Sequence, residues 1–167
     1  MSDVSHPDGQ QLQLAGTVLA ATMQLLDRAL SALKVQVTEG GRVAPARLDE
    51  HQLASYDLSL SWSECTAARF LLAHATRLAT ESSAANAYTT RLATYFCAEA
   101  VTNTLHRLRT RPADFGLAHA AINAVDANSS AAEFLSQQLA ARNVTAIGQA
   151  VLDLDGDLGP DLLSAQH

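Results

Sequence analysis

The stretch LDEHQLASYDLSLSWSECTAARFLLAHATRL, from Leu48 to Leu78, decides the fold of this chain. It contains neither glycine nor proline, and its apolar residues recur at helical spacing. They form two stripes, whereas a surface helix needs only one, so we predict a central helix with neighbours on both sides. The first stripe comprises Leu53, Tyr56, Leu60, Ala67 and Leu71, and the second comprises Leu58, Trp62, Cys65, Ala68 and Leu72.

The remaining face of this helix carries small polar side chains rather than long charged ones. Its members are His51, Ser55, Ser59, Ser63 and Thr66. Short hydroxyl side chains allow another helix, another domain or a ligand to approach closely. We therefore predict that His51, Ser55, Ser59 and Ser63 form an interface.

Composition favours an all-α protein. The chain has 167 residues, of which 48% are hydrophobic and only 5% aromatic, and alanine and leucine, both strong helix formers, dominate it. The net charge of −6 and the single lysine leave no concentrated basic surface for nucleic acid or a membrane. The amino terminus lacks a basic region before its apolar stretch, so we predict no signal peptide and a cytoplasmic location.

We predict an up-down bundle of about five helices over residues 10–152, with a flexible amino terminus at 1–9 and an acidic linker at 153–167. Gly40, Gly41 and Pro45 mark the loop that ends the first helix, and Pro112 stops the third. The predicted helices are Gln10–Val37, Leu48–Thr80, Ala84–Arg109, a short one from Phe115 or Leu117 to Val125, and Ala131–Leu152 with a kink near Asn143.

Acidic and thiol side chains in the helices fit structural roles better than catalytic or metal-binding ones. Asp57 and Glu64 lie on one helix face, where we predict that they pair with arginines such as Arg69, Arg91 or Arg107. Neither Glu64 and His74 nor Glu99 and His106 has the Glu-x-x-His spacing of carboxylate-bridged metal sites. The cysteines, Cys65 and Cys97, lack zinc-site spacing and are predicted to be reduced core thiols.

Two further clusters have alternative interpretations. Arg107, Arg109 and Arg111 could contact an anion, such as a phosphate of coenzyme A, or could simply stabilise a helix carboxyl terminus. The segment from Asp153 to Asp157 places Gly156 at the fourth position of an aspartate-rich run. A calcium loop of the EF-hand type needs glycine at the sixth position and a later glutamate, so we interpret this segment as an acidic linker.

The segment HQLASYDLSLSWSECTAARFLLAHA resembles the helical carboxy-terminal domain of acyl-CoA dehydrogenases, through Gln52, Leu58, Glu64 and the run Ala68–Leu71. A closer resemblance is to the helical amino-terminal extension of (2S)-methylsuccinyl-CoA dehydrogenase-type members of that family. Three segments carry it: GGRVAPARLDEHQLASYDLSLSW, the step from Arg111 to Leu117, and GDLGPDLL near the end of the chain. The β-domain, the flavin-contact pattern and the catalytic glutamate motif of the family have no counterpart here.

The resemblance implies a non-catalytic helical domain of an FAD-dependent enzyme that oxidises a short branched acyl-CoA at its α,β-bond. The domain would pack against the dehydrogenase core or shape a homo-oligomer, with no cofactor of its own and no catalytic or metal-binding residue. The alternatives are a stand-alone helical interaction module, which would use the serine-rich face of the central helix, and a small-ligand-binding bundle that takes a molecule such as an acyl-CoA.

Overall fold

In the computed structural model, which describes residues 7–79 and 83–155, the chain is an all-α bundle, as predicted. Three long helices form its centre, and three shorter ones cover the side formed by the first and third of them. The elements are, in chain order, α1 (Pro7–Val37), β1 (Thr38–Glu39), β2 (Arg42–Val43), α2 (Pro45–Glu50), α3 (Gln52–Leu78), α4 (Ala84–Thr110), α5 (His119–Asp126), α6 (Ser129–Leu139) and α7 (Ala141–Asp153).

The core lies where α1, α3 and α4 meet. Helix α3 runs antiparallel to both neighbours. Leu72 and Leu58 lie beside Leu19 and Leu33 of α1, respectively. The thiol of Cys65 lies 3.4 Å from the hydroxyl of Thr104 in α4, and the Leu78 carbonyl accepts a hydrogen bond from the Asn86 side chain near the start of α4. Many core positions are alanine or cysteine, so the helix backbones approach closely. The cysteines are free and fully buried, which confirms the predicted core thiols.

The two-stripe interpretation of α3 is only half right. Its second stripe is buried, apart from Trp62, which remains 36% exposed. The first stripe lies largely outside the core, and Leu53 and Tyr56 are exposed. The sequence pattern therefore indicates two apolar sides, but the described part of this chain covers only one.

The connection between α1 and α3 is a β-hairpin, not the irregular loop predicted. Thr38 pairs with Val43 and Glu39 with Arg42, while Gly40 and Gly41 both have positive φ, at 56° and 79°. This is the backbone of a two-residue hairpin turn, for which a glycine pair is well suited. The predicted helix from Leu48 is also interrupted, because His51 adopts φ −109° and ψ 20° and separates α2 from α3.

Local capping and side-chain hydrogen bonds account for other helix boundaries. Ser83 caps α4 by accepting a hydrogen bond from the Asn86 amide at 3.1 Å. The predicted kink near Asn143 is a full break at Ala140, whose ψ is 136°, and the Asn143 side chain bonds back to the Gln138 carbonyl at 2.8 Å. Helix α1 begins at Pro7, three residues before the predicted start. Most of the predicted acidic linker, including Gly156, lies outside the described residues.

A substitution at Gly116 tests whether the segment between α4 and α5 is fixed by close packing. It adopts φ +59°, and a Cβ atom there would lie 2.7 Å from Cβ of Ala32 in α1. We expect Gly116→Ala to lower the free energy of unfolding by about 2–4 kcal/mol, since backbone strain and overpacking add. Chemical denaturation measures the loss.

The matched control is Gly148→Ala, within α7, where an added Cβ would meet nothing within 4 Å. Alanine should raise the free energy of unfolding there by about 0.5–1 kcal/mol. Equal effects at the two glycines would contradict the packing described for Gly116.

Candidate docking groove and the outer face of α3

An apolar groove lies between the carboxyl-terminal half of α1 and the amino-terminal half of α3. The hairpin and α2 close one end of it, and its volume is about 670 Å³. Its lining is almost entirely aliphatic, with the only tryptophan of the chain at its edge. The lining residues are Leu26, Leu30, Leu33, Lys34, Val37, Val43, Leu48, Ser55, Leu58, Ser59 and Trp62.

The hairpin returns the chain across the end of α1 and thereby forms part of the groove wall. The Ala44 amide donates to the Val37 carbonyl at 2.9 Å, which fixes where the returning strand lies. Val43 and Leu48 then extend the apolar surface beyond the helices, and both remain exposed to solvent. Surface of this kind gains free energy when something covers it.

Polar groups in the groove are few. Lys34 is the single charged residue of its lining. The Ser55 hydroxyl is buried and has no hydrogen-bond partner among the described residues. A buried hydroxyl without a partner destabilises the free chain.

The predicted interface residues divide between this groove and the surface beside it. Ser55 and Ser59 line the groove, Ser63 faces solvent one turn further along α3, and His51 is half-buried at the junction of α2 and α3. Sequence reasoning missed the contributions of Lys34, Val43 and Leu48. The glycine pair, as a hairpin signal, could have indicated that the chain folds back there.

The side of α3 opposite the core forms a second unusual surface, which we call the outer face. It comprises Tyr56, Ser59, Leu60, Ser63, Ala67 and Phe70. Tyr56 is 63% exposed and Phe70 is 66% exposed, and none of these six side chains is itself charged, although the Arg69 guanidinium lies 5.5 Å from the centre of the Phe70 ring. Solvent-facing sides of helices in globular proteins are ordinarily charged or strongly polar.

The charged residues of α3 explain this absence, because its two carboxylates turn toward α4. Glu64 accepts two hydrogen bonds from the Arg107 guanidinium, at 2.6 and 3.1 Å, and Arg107 also donates to the Ser61 hydroxyl at 3.2 Å. Asp57 pairs with Arg111. The hydrogen bonds that Arg107 donates to Glu64 raise the pKa of Arg107 above its usual value, against the opposing effect of burial. The predicted pairing of these carboxylates with arginines is confirmed, with Arg107 as the partner of Glu64 and Arg111, which was not named, as the partner of Asp57.

Arg107, Arg109 and Arg111 all face carboxylates of this chain. Arg109 donates to both oxygens of Asp126, at 2.6 and 2.5 Å, and to the Asn123 side chain at 3.0 Å. An added anion would compete with these ion pairs for the same guanidinium groups. The predicted anion contact stays a prediction, and the pairing gives the arginines a structural role.

Metal and membrane sites have no support in the part of the chain that the structure describes. No group of three or more histidine, cysteine, aspartate or glutamate side chains there could hold a metal ion. Among the same residues, none of the helices is both long and apolar enough to cross a membrane.

No protein-family model matches the chain, and no curated protein matches its sequence.

The Glu64–Arg107 pair should contribute measurably to stability because both side chains are mostly buried. We expect Glu64→Gln to lower the free energy of unfolding by about 1–3 kcal/mol, since it leaves Arg107 without its charged partner. Urea denaturation measures this. The control is Glu39→Gln, which removes the exposed and longer pair with Arg47, at 3.8 Å, and should change stability by less than about 0.5 kcal/mol.

The two cysteines should be unreactive in the folded chain. Burial raises the pKa of Cys97 to about 12 and also raises the pKa of Cys65. Thiol reagents attack the thiolate, so Ellman's reagent at about pH 8 should label neither cysteine before unfolding and both after it. Rapid labelling of the native chain would contradict the burial of these side chains.

Proposed function

We propose that this chain is a helical docking domain that binds an apolar helix of a partner protein in the groove between α1 and α3. The observation that carries the proposal is the groove itself, which combines an aliphatic lining with a single cation. Helix-in-groove recognition uses this combination, in which an amphipathic helix lays its apolar face into a hydrophobic cleft.

The charge of the groove lining indicates which charge the partner helix should carry. Lys34 is at the groove, and the carboxylate nearest to it in sequence, Glu39, lies 3.8 Å from Arg47. A partner helix that carries a carboxylate next to its apolar face would pair with Lys34. Its apolar face would cover Leu30, Val43 and Trp62, which are exposed in this chain.

The sequence resemblance offers one candidate partner, the flavin-containing core of an acyl-CoA dehydrogenase. In this proposal the core binds FAD and oxidises a short branched acyl-CoA, such as methylsuccinyl-CoA, at its α,β-bond. The helical chain contributes no catalytic group and packs against the core through the groove. We further propose a cytoplasmic location, which suits two free thiols.

Trp62 reports directly on the groove, because it is the only tryptophan and lies in the lining. The apolar anionic dye anilinonaphthalene sulfonate should bind there, with energy transfer from Trp62 to the dye. Leu30→Asp should weaken dye binding about tenfold or more, because it places a carboxylate in the apolar lining. Fluorescence titration measures both quantities.

The matched control is Val35→Asp on the same helix. Val35 is 76% exposed and is not part of the groove lining, whereas Leu30 is 48% exposed and belongs to it. The control should bind the dye as the unchanged chain does. Loss of dye binding in both variants, or in neither, would contradict the groove as the binding surface.

A second measurement tests the identity of the partner. If the coding sequence next to this chain specifies a dehydrogenase core, the two should co-purify as a yellow complex. Leu30→Asp should release the core, and Val35→Asp should retain it. If no such core is encoded there, or the unchanged chain does not bind it, the flavoenzyme proposal is wrong, whatever the dye experiment shows.

A further inference from the structure

We propose that two copies of this chain associate through the outer faces of their α3 helices, antiparallel and with Ser63 on the two-fold axis. The outer face shares Ser59 with the groove but otherwise comprises different residues of α3, and this proposal does not rest on the groove's partner. Four features of α3 support it.

The first feature is the apolar character of the outer face. It presents Tyr56, Ala67 and Phe70 to solvent, and Leu60 beside them is half-buried. Both carboxylates of α3 are turned away, toward arginines of α4. Covering aromatic side chains of this size is a principal source of free energy at protein interfaces.

The second feature is that the serines of this face can be buried without losing hydrogen bonds. The Ser59 hydroxyl donates to the Ser55 carbonyl at 2.8 Å, and the Ser63 hydroxyl donates to the Ser59 carbonyl at 2.9 Å. Since both donors are satisfied within the helix, contact with another helix leaves neither unpaired. Their small size also allows two helix backbones to approach closely.

The third feature is the symmetry of the residues around Ser63. Tyr56 lies seven residues before it and Phe70 seven after, while Ser59 lies four before it and Ala67 four after. In a two-fold contact, if one residue of the first copy contacts a different residue of the second copy, the same two positions also meet with the copies exchanged. Antiparallel packing about Ser63 therefore brings Tyr56 against Phe70 of the second copy, twice, and a small residue against a small residue between them.

The fourth feature is the charge at the two ends of this face. Asp49 and Glu50 follow Arg47 in α2 and precede the outer face in sequence, and Arg77, whose guanidinium also lies 3.4 Å from the His74 ring, follows it near the end of α3. Antiparallel packing brings the acidic end of one copy toward the basic end of the other. Parallel packing would instead bring like charges together, so charge complementarity selects the antiparallel arrangement.

Sedimentation of the full chain over a concentration series tests the proposal. The unchanged chain should form a dimer, and Ser63→Glu should weaken dimerisation by about a hundredfold or more, because it sets two carboxylates against each other on the axis. The control is Ser31→Glu, at an exposed serine of α1 whose hydroxyl also donates to a carbonyl four residues earlier, at 2.8 Å. This control should dimerise as the unchanged chain does.

Disulfide trapping tests the register and orientation. Ser63→Cys should form a covalent dimer under mild oxidation, and Ser31→Cys should not, while Cys65 and Cys97 are buried and should not interfere. A mixture of Tyr56→Cys and Phe70→Cys chains should cross-link between the two variants, whereas a parallel dimer would link each variant to itself.

These outcomes separate the dimer from the docking groove. Ser63→Glu should keep its circular dichroism spectrum and its dye binding, and Leu30→Asp should keep the dimer. An unchanged chain that sediments as a monomer up to about 1 mM overturns the proposal, since weaker association is not specific. A dimer that Ser63→Glu leaves intact overturns it as well.

Discussion

The pairing of the α3 carboxylates with arginines at the end of α4 is the constraint on which the remaining features depend. Glu64 and Asp57 lie on the side of α3 that meets α4, where Arg107 and Arg111 neutralise them. A carboxylate left unpaired in such a half-buried position would be unfavourable, so the pairs favour this rotation of α3 about its axis. The same rotation buries Leu58, Cys65 and Leu72 and turns the uncharged side of the helix outward.

The groove and the outer face are therefore two consequences of one packing arrangement. α1 covers α3 over part of its length, and Val43 of the hairpin and Leu48 of α2 line the apolar groove that remains between these two helices. On the far side of α3, the described chain supplies no further helix. The domain thus combines a complete core with apolar surface that the chain leaves uncovered. This combination is expected of a domain whose interface residues become buried only in an assembly.

Several features of this structure could be predicted from the sequence. Helix class, the end of α4 before Pro112, the Ser83 cap and the burial of both cysteines follow from local chemistry, which acts within a few residues. The role of Asp57 and Glu64 as arginine partners was also predictable, although only Arg107 among their actual partners was named. The hairpin was missed because glycine pairs end helices as readily as they form tight turns. The break at His51 was missed because no glycine or proline marks it.

Apolar spacing by itself determined that α3 has two sides able to pack, since the period of a helix fixes which side chains share a face. It could not determine which side would meet the rest of the chain, because that choice depends on residues far away in sequence. Tertiary structure decided it, through arginines more than 40 positions beyond the carboxylates that they neutralise. Trp62 and Tyr56 were consequently left at the surface, where the pattern alone had predicted a core. Long-range ion pairing and close helix contact select one of several packings that local periodicity permits equally.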